Sequence, residues 1–437
     1  MTADLHLSVE WLPADGVASP ALAATWCRLS IRVGNDVVTR VEDSEASSTR
    51  NSIFCSAYPL AEWAATNWWA LRSHVRPAGL LRLPTTERSP WPLHDALRRH
   101  TMRAAGDGFV WPSLFIVPEG THTSLTWIAD QTAPTASIRY VASGYAWIDS
   151  IRAQTALAAF IGSVIDRLRE LGVRDTLLEE EWNAVVKAPR EEAAFCDAAA
   201  AFGLDPYDLE PEDAQQIHRI GAVLGDDLAE EFATAVDPSR IGEDLAWVAT
   251  GLSRLAQRSA PPTGAWAALV GLHLADDRDG EPWDVGWRHG RLTREALGVA
   301  ATEPVVLDGI VRARHLASTD QALQGLGSGM SGHVEVITAA GSGSNAQRFM
   351  SARAVWRAMH VEARPYLMTT APTFEQRVER AFAAEVLAPA AGLERLVERQ
   401  SGVVLAEDVE RLGRKFKTSP LVISHQLENQ LGLAVAS

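Results

Sequence analysis

Cysteine is scarce in this chain, with three in 437 residues (Cys27, Cys55 and Cys196), far apart and without a CxxC. That spacing excludes a disulfide framework or a thiolate zinc cluster and suits a reducing compartment, so a cytoplasmic location is expected. No apolar run approaches the ~18 residues of a membrane span. The start, Met1-Thr2-Ala3-Asp4, has no basic stretch leading into an apolar one, so neither a secretory signal nor a membrane partner is expected. Positive charge is outweighed, with 40 Lys and Arg against 55 Asp and Glu and a net charge of −15. A far field of that sign disfavours a general nucleic-acid surface, although a local basic patch is compatible with it. Histidine is present twelve times, yet no two histidines stand four apart, so no HExxH occurs. There is no GxSxG, and the glycines of Ala340-Gly341-Ser342-Gly343-Ser344 are not followed by the Lys-Ser/Thr of a phosphate loop, which leaves them as a connector.

What is present is ordinary globular composition, 47% hydrophobic and 22% charged, enough for two or three domains with their own cores. Eleven of the fifteen tryptophans precede position 250, with Trp63, Trp68 and Trp69 crowded together and Trp91 and Trp111 behind them. Large aromatics are expected in a core, and the acidic balance disfavours a stacking platform for bases. The pattern predicts an α+β fold in three parts. Residues 1–150 form a mixed strand and helix domain. Leu5, Leu7, Val9 and Trp11 alternate as a half-buried strand, and Cys27 to Val41 reads as a hairpin about Gly34-Asn35-Asp36. Ser44 to Asn51 reads as loop and Leu60 to Ser73 as a helix after Pro59. Phe109 to Ile128 reads as a hairpin about Pro118-Glu119-Gly120, and Ile138 to Trp147 as a strand. Residues 151–280 are helical, with a stripe of Ala156, Ala159, Phe160, Val164, Ile165, Leu168 and Leu171 ending at Gly172. Boundaries are expected at Ala260-Pro261-Pro262-Thr263-Gly264 and at Asp276 to Glu281. Residues 281–437 mix helices with short strands, one at Val334 to Val336, and Asn345 is the expected N-cap of a helix.

That last helix holds the most informative segment: Arg348-Phe349-Met350-Ser351-Ala352-Arg353-Ala354-Val355-Trp356-Arg357. It is followed by Glu375 to Pro389, EQRVERAFAAEVLAP, and then by Leu412 to Leu433, which contains Phe416-Lys417-Thr418-Ser419-Pro420 and Leu431-Gly432-Leu433. In this order the three segments resemble the ImmA/IrrE-like metallopeptidase family, whose patterns read RFxxAHExxH, ExxANxFAAxLLxP and LAxxFxVSxxAxxxRLxxLGL. In the closing pattern Val422 and Gln426 replace the alanine and arginine, and the LGL falls one residue late. The resemblance covers about a third of the chain and implies a zincin-like peptidase fold for residues 281–437.

The departures fall on the chemistry. A catalytic zinc needs two imidazoles one helical turn apart, a third ligand from another helix and a carboxylate base. Here Arg353 and Arg357 stand for the histidines and Ala354 for the base. Glu375 or Glu379 is the candidate for the third-ligand carboxylate, with Gln376 between them. No catalytic residue, metal or cofactor is therefore expected. Two guanidiniums at i and i+4 repel unless an anion lies between them. Either Glu375 or Glu379 bridges them, or the arginine pair binds an external phosphate or carboxylate. The expected function is that of an inactive pseudo-metallopeptidase with a protein partner, in the regulation of stress responses, mobile elements or defence. The alternatives are a zinc endopeptidase with atypical ligands and a DNA-binding regulator, the latter through Arg411, Arg414, Lys415 and Lys417 on a helix-turn-helix-like closing pair.

Overall fold

A computed structural model describes residues 4–73, 98–130, 137–255, 264–272, 274, 279–317, 322–330, 333–339, 343–361, 364–397 and 403–435. Trp91, the boundary at 260–263, residues 276–278 of the second boundary and the connector 340–342 lie outside them. The chain is α+β and divides into two compact units, Met1–His218 and Arg219–Ser437. The helical stretch read over 151–280 is thus shared between the two.

In the first unit the strands are β1 (Leu5–Trp11), β2 (Trp26–Val33), β3 (Asp36–Val37), β4 (Val41–Asp43), β5 (Ser48–Arg50), β6 (Ile53–Ser56), β7 (Ser113–Glu119), β8 (His122–Ile128), β9 (Ile138–Tyr140) and β10 (Gly144–Asp149). The helices are α1 (Pro20–Ala24), α2 (Tyr58–Thr66), α3 (Trp68–Arg72), α4 (Ser150–Glu170), α5 (Leu177–Lys187) and α6 (Arg190–Ala201). Strand β2 pairs with β1, β3 and β6, β8 lies between β7 and β10, and β4 lies between β5 and β9. The β2–β3 and β7–β8 hairpins turn where glycine takes positive φ, at Gly34 and Gly120.

Four sequence readings are corrected here. Within Ser44 to Asn51, residues 44–47 turn as expected, but Ser48–Arg50 is strand β5, paired with β4 and polar, so no apolar alternation marks it. The helix over 60–73 is two helices that break at Asn67, whose side chain donates to the Trp63 carbonyl. The strand over 138–147 is two strands, β9 and β10, in different sheets. The stripe of α4 holds at Phe160, Val164, Ile165 and Leu168, which are buried, but Ala159 and Leu171 are exposed and Leu157 and Ile161 are buried in addition. Trp63, Trp68, Trp69 and Trp111 are buried in the core, as the size of their rings demands.

Asp197 on α6 pairs with Arg72 at 3.1 Å and accepts from the Ser73 hydroxyl at 3.2 Å. Burial pushes its carboxyl up to about 6, against the opposing pull of Arg72 and Ser73. The unfolded-state value of an aspartate is about 3.9, so the folded state holds the proton more tightly. This contribution to stability is full below pH ~3.9 and is lost as pH rises through about 6. Asp197→Asn is expected to flatten the stability profile over that window and to be at least as stable as the parent at pH 7, as read by urea unfolding at a series of pH values.

The second unit takes the latter part of α7 (Pro211–Ala233), followed by α8 (Ile241–Leu255), α9 (Gly264–Val270) and α10 (Pro282–Ala296). Strands β11 (Val311–Leu316), β12 (Leu323–Met330) and β13 (His333–Ala339) precede α11 (Ser344–His360), β14 (Pro365–Thr369) and α12 (Phe374–Leu387). The closing elements are α13 (Ala390–Leu396), β15 (Val403–Val404), α14 (Ala406–Phe416), α15 (Pro420–Leu431) and β16 (Ala434–Val435). The sheet runs β11-β13-β12-β14, with β11 parallel to β13 and the other two pairings antiparallel.

Strand β12 alternates its two faces. An added Cβ on Gly251 of α8 would meet the Leu326 side chain at 2.7 Å, so α8 covers that face. Gly325 and Gly329 present the opposite face to Met350 and Ala358 of α11. Their missing side chains let α11 lie close on the sheet. Helix α11 begins at Ser344 with Gly343 as N-cap. Asn345 is therefore not the cap: its side chain leaves the helix and donates to the Thr418 carbonyl at 3.1 Å.

Candidate functional site

Helix α11 carries Arg353 and Arg357 one turn apart, facing α12 and the β12–β14 edge of the sheet. Arg353 is 1% exposed and Glu379 is fully buried. The Arg353 Nε donates to Glu379 Oε1 at 2.8 Å, and Nη2 donates to the same oxygen. Nη2 also donates to Gln376 Oε1 at 2.7 Å and to the Thr369 carbonyl at 2.9 Å. The remaining guanidinium nitrogen, Nη1, donates to Gln324 Oε1 on β12 and lies 3.5 Å from Met350 Sδ. One buried cation is thus held by one carboxylate and three neutral acceptors, which together offset much of the cost of burying a guanidinium.

The other oxygen of Glu379, Oε2, lies 3.6 Å from Arg357 Nε. That is within ion-pair range but beyond hydrogen-bond length. Arg357 pairs by Nη2 with Glu231 of α7, and its guanidinium lies over the Tyr366 ring, 5.6 Å from the centroid. The structure therefore places Glu379 between the two arginines. Glu375 is also buried, in the first turn of α12. Ala354 is fully buried, and its carbonyl accepts from the Tyr366 hydroxyl at 2.8 Å. Burial raises the Tyr366 pKa, so the phenol stays protonated and donates.

Three residues that sequence reasoning passed over complete the network: Gln376, Glu231 and Gln324. Gln376 Oε1 accepts from the Thr369 N–H at 3.0 Å as well as from Arg353, while its Nε2 donates to the Leu367 carbonyl at 3.0 Å. A signal for it was available: counted back from Pro389, Gln376 occupies the leading glutamate of ExxANxFAAxLLxP. Arg380, the next residue after Glu379, donates to the Ala371 carbonyl at 2.8 Å. Burial, and then the nearby Arg353 charge, push its pKa down to about 10.

This donor set does not fit a zinc ion. Two guanidiniums, which cannot ligate a metal, fill the space between α11, α12 and the sheet, and the Glu379, Gln376 and Gln324 oxygens there already accept from Arg353. Among the described residues, no group of three or more His, Cys, Asp or Glu side chains is placed to hold a metal.

The motif segments also meet one another. Arg348 donates to the Lys417 carbonyl at 3.0 Å and to the Val305 carbonyl at 2.8 Å, tying the start of α11 to the end of α14. Glu385 of α12 accepts from Gln426 at 2.9 Å and from Gln430 at 2.7 Å, both on α15. Arg411 pairs with Asp408 and donates to the Leu396 carbonyl at 3.0 Å, and Arg414 lies 3.5 Å from Glu410. Part of the positive charge on the closing pair is thus paired with carboxylates of the same helix. No family model matches the chain, and no curated protein is similar to it in sequence.

Proposed function

We propose that the second unit is a zincin-like, ImmA/IrrE-like peptidase scaffold without hydrolytic chemistry. It works as a protein-binding, regulatory module, for example in a stress or defence response. The observation that carries this reading is the occupancy of the position between α11 and α12. There the Arg353 guanidinium is satisfied internally by Glu379, Gln376, Gln324 and the Thr369 carbonyl. A buried polar site whose carboxylate and amide oxygens face an internal cation serves shape rather than turnover. The contacts of Arg348 with Lys417 and of Glu385 with Gln426 further support it, because residues from three separate patterns meet in one packed unit.

The test is metal analysis with a peptide-hydrolysis assay on the parent and on R353H/A354E/R357H. The parent is expected to carry far less than one zinc per chain and to leave peptide substrates intact. The triple variant places two imidazoles one turn apart with a carboxylate between, and Glu379 adjoins both positions. It is expected to take up about one zinc per chain, lost again on adding Glu379→Ala. Stoichiometric zinc with hydrolysis in the parent, or a folded triple variant that binds no zinc, sinks the reading.

A further inference from the structure

Arg357 differs from Arg353 in its main partner, which comes from far away in the sequence and is not fully enclosed. The Glu231 side chain is 30% exposed, whereas that of Arg357 is 6% exposed. The Glu231 carboxylate is held at both oxygens. Oε1 pairs with Arg357 Nη2, and Oε2 accepts the Leu367 N–H at 2.6 Å. Leu367 lies on β14 opposite Leu326 of β12, and β14 ends the sheet order β11-β13-β12-β14. A backbone N–H that meets Glu231 is turned away from β12, toward the outer edge of the sheet. One guanidinium and one edge-strand amide thus converge on a single carboxylate, the chemistry by which proteins recognise carboxylates in general.

The carboxylate arrives on its own segment. Gly225 has φ 71° and ψ 168° inside α7, a conformation essentially confined to glycine, so the turn carrying Glu231 is separated from the helix before it. If Glu231 is withdrawn, Arg357 keeps, among the described residues, the 3.6 Å approach to Glu379 and the Tyr366 ring. A buried guanidinium left so poorly compensated favours uptake of another anion.

We propose that Arg357 and the Leu367 N–H form a carboxylate-binding site on the edge of this sheet, closed in cis by Glu231, and that its ligand in trans is a carboxylate of a peptide. The proposal rests on reading this unit as a binding module, but its test is separate from the zinc assay, because peptide titration reports on the site whether or not metal is bound. A tethered occupant competes at an effective concentration in the millimolar range, so the cis contact masks the site until Glu231 is displaced.

Isothermal titration of the full chain tests this with three probe peptides of one core sequence. One is an acetylated amide with an internal aspartate, one has a free C-terminal carboxylate and no acidic side chain, and one is an acetylated amide with no carboxylate. Glu231→Ala is expected to bind one of the two carboxylate peptides at one equivalent, about tenfold or more tighter than the parent does. Which of the two it binds identifies the carboxylate as side-chain or C-terminal. Adding Arg357→Met is expected to abolish that binding. Glu231→Gln keeps the shape and an acceptor for Leu367 without the charge, and is expected to bind more tightly than the parent. It decides the matter if Glu231→Ala does not fold. Equal affinity in the parent and the Glu231 variants, equal binding of the carboxylate-free peptide, or no binding by a folded Glu231→Gln overturns the proposal.

Discussion

Replacing Glu379 with alanine is expected to cost the second unit about 3–5 kcal/mol, the usual penalty for breaking a buried ion pair from one side. The residue is fully buried, and its two oxygens face Arg353 and Arg357, themselves 1% and 5% exposed. Its loss leaves two guanidiniums one helical turn apart, with Arg357 still paired to Glu231. Arg353 retains Gln376, Gln324 and the Thr369 carbonyl, but these are neutral acceptors and offset only part of the desolvation. Glu379→Gln keeps an acceptor and is expected to lose less. The paired change R353M/E379L removes both charges in favour of apolar groups of similar volume, and is expected to be milder than either single change. Urea unfolding followed by circular dichroism gives the magnitudes, and hydrogen exchange in α11 and α12 locates the loss. A Glu379→Ala variant as stable as the parent would show that the network adds nothing to the fold.

Gly286→Val is expected to be comparably damaging by a different mechanism. Helices α10 and α12 approach so closely that a Cβ at Gly286 would stand 2.5 Å from the Val378 carbonyl oxygen, 2.6 Å from the Ala381 Cβ and 2.8 Å from the Phe382 nitrogen. Two of these neighbours are backbone atoms in the middle of a helix, so the contact is relieved only by moving α12 as a body. Gly290, one turn on, meets the Glu385 side chain at 2.8 Å in the same way. Overpacking of this kind costs about 1–3 kcal/mol or more, and valine adds two methyl groups to the clash. Helix α12 also carries Gln376 and Glu379, so its displacement disturbs the Arg353 network as well. The control is Gly242→Ala on α8, where an added Cβ meets nothing within 4 Å and helix propensity favours alanine. Thermal unfolding of the two variants separates them: a large drop in Tm is expected for Gly286→Val and none for Gly242→Ala.

Local patterns were legible in the sequence, and long-range partners were not. The alternation of Leu5, Leu7, Val9 and Trp11 marks β1, and the Thr-Ser-Pro turn before Leu421 marks the start of α15, where the Ser419 side chain accepts from the Val422 N–H. The i,i+4 spacing of Arg353 and Arg357 required an anion between them, and Glu379 was one of two candidates because both lie in the segment already singled out. Glu231 could not be found this way, since it lies 126 residues from Arg357 and sits in a helix with no local sign of its role. Strand β12, LQGLGSGM, was invisible for a related reason. Glycine weakens a strand on its own, and its use here is to admit the Met350 and Met368 side chains and the Tyr366 ring, which other segments supply. Asn345 misled because asparagine caps helices by a local contact, whereas its partner here, Thr418, is 73 residues away.

The Arg353 network also constrains how this sequence can drift. Gln376 uses its oxygen as an acceptor and its nitrogen as a donor at once, so a glutamate there would set a carboxylate against the Leu367 carbonyl. Losing Arg353 alone leaves Glu379 with the 3.6 Å approach to Arg357, and losing Glu231 alone leaves Arg357 with that approach and the Tyr366 ring. Each one-letter change at these positions passes through a chain with a poorly compensated polar group. Positions 231, 353, 357, 376 and 379 are therefore expected to vary among relatives as a block, exchanged together or kept together, while a surface position such as 410 varies alone.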